Sequence, residues 1–78
     1  MNDLSKAVLL LEKGDWQAAH LIVQDDEESL LSCWAHGIVH IMEGDLPNAR
    51  YWYRRAKRDF SDDAASEIAA LKKTLPDS

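Results

Sequence analysis

The sequence predicts an all-α chain made of antiparallel helical hairpins, about five helices in all, and three observations predict it. Apolar residues return every third or fourth position through five separate segments, the period of a helix with one buried face. The pair Gly-Asp occurs twice, at Gly14-Asp15 and Gly44-Asp45, and each time it falls between two such segments. No apolar/polar alternation marks a strand candidate.

In chain order, Asp3 can cap a first helix, in which Leu4, Ala7, Val8, Leu10 and Leu11 recur at helical spacing up to Lys13. Gly14 ends it by taking a left-handed conformation without steric penalty. Asp15 caps a second helix, whose apolar stripe is Trp16, Ala19, Ile22 and Val23 with Ala18 on its flank. The acidic run Asp25-Asp26-Glu27-Glu28 breaks the pattern and sets negative charge before and within the first turn of the next helix, where the macrodipole favours it. A third helix runs from Glu27 or Ser29 to Glu43. Its apolar residues Leu30, Leu31, Trp34, Ala35, Gly37, Ile38, Ile41 and Met42 cover more than half of its circumference, so it belongs between neighbours. Gly37 inside it costs roughly 1 kcal/mol relative to alanine, which predicts close approach of another backbone. Gly44 ends this helix, Asp45 caps the next, and Pro47 falls in the first turn, where a missing amide hydrogen costs little. On helix four, Ala49, Trp52, Tyr53, Ala56 and Phe60 form the buried face, with Tyr51, Arg54, Arg55 and Arg58 on the other side. Ser61 caps a fifth helix with Asp62 and Asp63 in its first turn, Lys72 and Lys73 in its last, and a stripe of Ala64, Ile68, Leu71 and Leu75. Pro76 stops it.

Two of these segments repeat. Glu12 to Ala19 aligns without a gap on Met42 to Ala49, an offset of thirty residues, giving helix, Gly-Asp, an apolar residue, two variable positions and alanine twice over. The segment from Cys33 to Phe60 resembles a tetratricopeptide repeat: Gly37 matches the small residue of its first helix, Gly44-Asp45 its turn, and Ala49, Tyr53 and Ala56 the small-aromatic-small pattern of its second. The first repeat matches at Ala7, Gly14, Asp15, Trp16 and Ala19, but has Val23 for the aromatic and Asp26 for the last alanine. His40 replaces the usual first-helix aromatic, and no proline stands near Ser61. The resemblance implies one domain over residues 1–78: repeat one at about 3–26, repeat two at about 29–60 and a C-terminal capping helix at about 61–75. About half of the chain also resembles a family of short, functionally uncharacterised bacterial proteins, through Trp34, His36, His40, Glu43-Gly44-Asp45, Asn48-Ala49, Tyr51-Trp52-Tyr53, Arg55 and Ala56, with Ala19-His20 earlier. That resemblance carries no known activity.

At 78 residues the chain is near the size at which one core is marginal, and Cys33, the single cysteine, offers no internal disulfide. Three tryptophans and an apolar fraction of 46% make packing, with self-association, the expected source of stability. The start of the chain lacks signal-peptide features and the apolar run Ala7–Leu11 is too short to span a bilayer, so a soluble cytoplasmic protein is expected, with no membrane partner. A net charge of −5 argues against nucleic acid, whose phosphates need cations. The charge is uneven: Leu46 to Arg58 holds five basic residues and no acidic one.

Three groups of side chains are candidates for chemistry. Trp16, Trp34 and Trp52 each sit on an apolar stripe, so core is the first reading for each. In a tetratricopeptide protein, however, the first helices line a groove, so the resemblance implies that Trp34, Ile38, Ile41 and Met42 meet a peptide, a partner helix or a second copy of the chain. Tyr51, Arg54, Arg55 and Arg58 form a face suited to carboxylates or phosphates, the acidic run of another subunit included. His36 and His40 lie at i, i+4 on helix three, with Cys33 one turn earlier, and His20 on helix two faces them if the helices pack antiparallel. Such a set can hold a metal ion, serve as an acid/base pair, or simply fill half-buried space. The zinc-protease motif is missing, because Gly37 rather than glutamate follows His36. The leading expectation is a small interaction module or adaptor that binds a protein or peptide and self-associates, with no cofactor and no catalytic residue. The alternative is a small metal-binding protein or enzyme using His20, His36 and His40, and it requires the three imidazoles to converge at an open polar pocket.

Overall fold

The computed structural model of the chain describes residues 3–75. Among them are five α-helices and no strand: α1 (Asp3–Glu12), α2 (Trp16–Val23), α3 (Leu30–Glu43), α4 (Leu46–Arg55) and α5 (Ala64–Thr74). The all-α class and the helix count follow the sequence. Pro76, expected to stop the last helix, lies outside the described residues; α5 ends at Thr74 with Leu75 as its cap.

Each Gly-Asp pair closes one helix and opens the next by the same bonds. Gly14 and Gly44 have φ of 83° and 92°. The N–H groups of Asp15 and Asp45 then return to the carbonyls of Leu10 and His40, both at 2.9 Å. Their carboxylates accept the N–H groups of Ala18 at 3.2 Å and Asn48 at 3.4 Å. One orphan carbonyl of the ending helix and one orphan N–H of the following start are thus satisfied by each aspartate.

The acidic connection is built differently from the expectation. Asp26 accepts the N–H groups of Glu28 and Ser29, and Ser29 caps α3 by accepting from Ser32 at 3.3 Å. The first turn of α3 therefore carries no acidic residue. The exit from α4 also differs. Lys57 takes the left-handed conformation at φ 61°, and the N–H of Arg58 reaches back to the Tyr53 carbonyl at 3.0 Å. Helix α4 ends at Arg55, which leaves Phe60 in the connection and Ser61 short of the next helix. Asp63, accepting from Ser66 at 3.2 Å, is the cap of α5, and Ser61 accepts instead from the N–H of Asp63.

Helix α3 is the centre of the molecule and packs against α1, α2, α4 and α5. All nine residues from Ser32 to His40 are buried. Gly37 is required there, since a Cβ would lie 2.5 Å from Cδ1 and 2.7 Å from Cε1 of Tyr53. The close neighbour is thus chiefly an aromatic ring, with the Ala49 carbonyl behind it at 3.3 Å, rather than the backbone alone.

Helix α5 folds back over α1 and α3 instead of stacking beside α4. Lys72 reaches Glu12 on α1 at 3.1 Å. Glu67 accepts the Trp34 indole N–H at 3.2 Å and the Tyr53 hydroxyl at 2.7 Å through one carboxylate oxygen. This covering corrects the expected groove: Trp34 is 1% exposed and Ile38 fully buried, while Ile41 and Met42 are half-buried against the core. A helix apolar around most of its surface has been enclosed by the chain's own last helix. No helix among the described residues is long and apolar enough to cross a membrane.

Candidate metal centre

The packing of α2 on α3 brings the three histidines together. His36 and His40 project from one side of α3, and His20 meets them from α2. The His20 ring stands edge-on to His36 at 4.8 Å and to His40 at 5.4 Å, while His36 and His40 lie nearly parallel at 5.1 Å. One nitrogen from each ring lies within 4.8 Å of the other two. Three imidazoles on one tetrahedral ion, with bonds of about 2.0–2.1 Å, would hold their nitrogens about 3.4 Å apart.

The surroundings of each ring differ. His36 is 3% exposed and stacks on Trp52 of α4 at 3.8 Å and 10°. Its Nδ1 is buried and has no hydrogen-bond partner among the described residues, a condition that costs about 1–3 kcal/mol unless a ligand relieves it. Burial, then the neighbouring His20, His40 and Arg55, pull the His36 pKa down to about 3. Its ring is neutral at physiological pH, the form that can ligate a metal. His40 bonds Glu43 through Nδ1 at 2.7 Å. In the neutral tautomer that donates from Nδ1 to this carboxylate, Nε2 is the nitrogen with the lone pair. A carboxylate behind a histidine in this way is the usual support of a metal ligand. His20 is half-buried, beside a cleft of about 190 Å³ lined by Trp16, Gln17, His20, Val39, His40 and Glu43.

No family model, no curated protein and no solved structure matches this chain. Its chemistry is read from its own residues.

The other sequence candidates make contacts of their own. Cys33 stays apart from the histidines: its thiol donates to the Glu27 carbonyl at 3.3 Å, and burial pushes its pKa up. In the face expected of Tyr51, Arg54, Arg55 and Arg58, two of the arginines have contacts within the chain. Arg55 donates to the Glu27 carbonyl at 2.8 Å and to the Tyr51 hydroxyl at 3.1 Å, with its guanidinium 5.1 Å from the Trp52 ring centre. Arg58, beyond the helix end, lies 3.4 Å over the Trp34 ring. Arg54 is exposed on the remaining side.

Two residues of the centre, Glu43 and Trp52, and one of the cleft beside it, Gln17, were not singled out for these places by sequence. Glu43 stands three positions after His40, a spacing at which side chains meet on a helix, and that signal was readable. Trp52 reaches His36 only through the register of the α3–α4 hairpin, and Gln17 reaches the cleft only through the packing of α2. Neither has a local signature.

Proposed function

We propose that this chain binds one divalent transition-metal ion through His20, His36 and His40, with Glu43 orienting His40. The observation that carries the reading is the convergence of three imidazoles from two helices around His36, whose buried Nδ1 has no hydrogen-bond partner among the described residues. Three imidazoles suit zinc, copper, nickel or iron. Calorimetric titration of the chelator-treated protein with zinc is expected to give one ion per chain. His36→Ala abolishes binding, and Glu43→Gln weakens it about 10–100-fold, the usual effect of removing a supporting carboxylate. Paramagnetic cobalt in the same site quenches the Trp52 fluorescence. Zinc affinity that is unchanged in the His20→Ala, His36→Ala and His40→Ala variants would sink the assignment.

Recognition of a protein or peptide, a second copy included, is the second reading. It is supported by Leu21 and Leu30, exposed at 64% and 49%, which flank the acidic connection in the chain. Light scattering at low and high salt tests it: a dimer lost in the Leu21→Ser, Leu30→Ser double variant favours self-association, and a monomer under all conditions removes it.

A further inference from the structure

Resting on the metal reading above, we infer that the ion held by His20, His36 and His40 keeps one exchangeable coordination position, which opens into the cleft beside Gln17 and takes water or a small monoanion. A tetrahedral ion with three protein nitrogens needs a fourth ligand, and closed structural sites take it from the protein. Among the described residues, the nearby side chains that could supply one each already hold another partner through at least one atom. The Glu43 carboxylate is bound to Nδ1 of His40 at 2.7 Å. Asp45 caps α4, and the Cys33 thiol is held by the Glu27 carbonyl. Trp52, stacked at 3.8 Å, closes one face of His36.

What remains is the cleft. It has a volume of about 190 Å³ and touches His20 and His40 but not His36. At about 30 Å³ per liquid water molecule it has room for several waters or a small hydrated anion. Its walls combine apolar surface from Trp16 and Val39 with the carboxamide of Gln17, which both donates and accepts hydrogen bonds. A cation there attracts an anion, and a water bound to a zinc-type ion loses a proton near neutral pH. The centre is therefore of the ligand-exchanging kind, with small monoanions such as azide or hydrogencarbonate as its ligand class.

The test uses the full chain loaded with cobalt(II), whose visible spectrum reports coordination, titrated with sodium azide at constant ionic strength. A saturable change in the cobalt bands is expected. Gln17→Trp, a substitution of an exposed residue that fills the cleft, weakens azide binding at least roughly tenfold while leaving cobalt affinity within about twofold. Three results would overturn the inference. Cobalt bound one per chain with a spectrum insensitive to azide means that the fourth position is closed. Azide sensitivity that emerges only in Glu43→Gln means that Glu43 occupies it. Failure to bind cobalt at all removes the metal reading together with this one, and is told apart by the metal analysis of the same sample.

Discussion

His36 sits among groups that all oppose its protonation: His20 from α2, His40 on its own helix and Arg55 from α4, within a setting that excludes water. With its pKa near 3 in the folded chain against about 6.5 when unfolded, the unfolded state takes up the proton first. Its contribution to stability is complete above pH 6.5 and falls as the pH drops toward 3, by up to about 1.4 kcal/mol per pH unit. Urea unfolding of metal-free protein across that range, compared with His36→Phe, should show the variant losing less stability in acid. At pH 7 the variant should be as stable as the original or about 1 kcal/mol more so, because it keeps the stack on Trp52 and removes the orphaned nitrogen. Gly37 is the second decisive residue. Alanine gains about 1 kcal/mol of helix propensity, but its methyl group enters the buried Tyr53 ring, and overpacking of that kind costs typically 1–3 kcal/mol. We expect Gly37→Ala to lower the urea midpoint and to weaken the Tyr53–Glu67 bond. That glycine would be needed inside α3 was legible from its cost. What needed it was not, because Tyr53 is sixteen residues away in the chain.

Among the helices, α5 decides what kind of surface the molecule presents. Its stripe was visible, but its destination was not: an amphipathic helix reports that it buries one face, never against which partner. The connection of residues 56–63, turned at Lys57 in a conformation usually reserved for glycine, returns α5 across α1 and α3. Without a glycine to announce it, the early end of α4 at Arg55 escaped the periodicity reading, since Phe60 still fell at helical spacing. The clasp is Glu67, half-buried beneath two donors. The Tyr53 hydroxyl is held well above its ordinary pKa by burial and then by that carboxylate. Removing the acceptor leaves the buried Trp34 N–H and Tyr53 O–H unpaired, so Glu67→Ala should cost about 2–4 kcal/mol at 1–3 kcal/mol per orphaned group, less what water recovers. Hydrogen exchange should then show α5 opening before the α1–α4 body.

For the whole molecule, a 78-residue chain without a disulfide has a thin margin of stability. Its Cα radius of gyration of 10.7 Å describes a small body in which one ion matters. A ligand at a hundred times its dissociation constant stabilises by about 2.7 kcal/mol, which in a domain of this size raises Tm by about 10–20 °C. Differential scanning fluorimetry with zinc should show that rise in the wild type and not in His36→Ala. The sequence by itself determined the all-α class, the five helices and the two Gly-Asp hairpin turns, because caps, helical period and left-handed glycines act within a few residues. It also placed His36 and His40 on one side of α3, since their spacing is local. Only the tertiary structure decided that α5 covers the face expected to be a groove, which leaves Trp34 in the core its stripe already pointed to and Ile38 beside it. It alone also decided that His20 meets His36 and His40, with Trp52 on His36 and Gln17 in the cleft beside His40. Those outcomes depend on contacts between distant segments, whose register and direction are set by packing the whole chain at once.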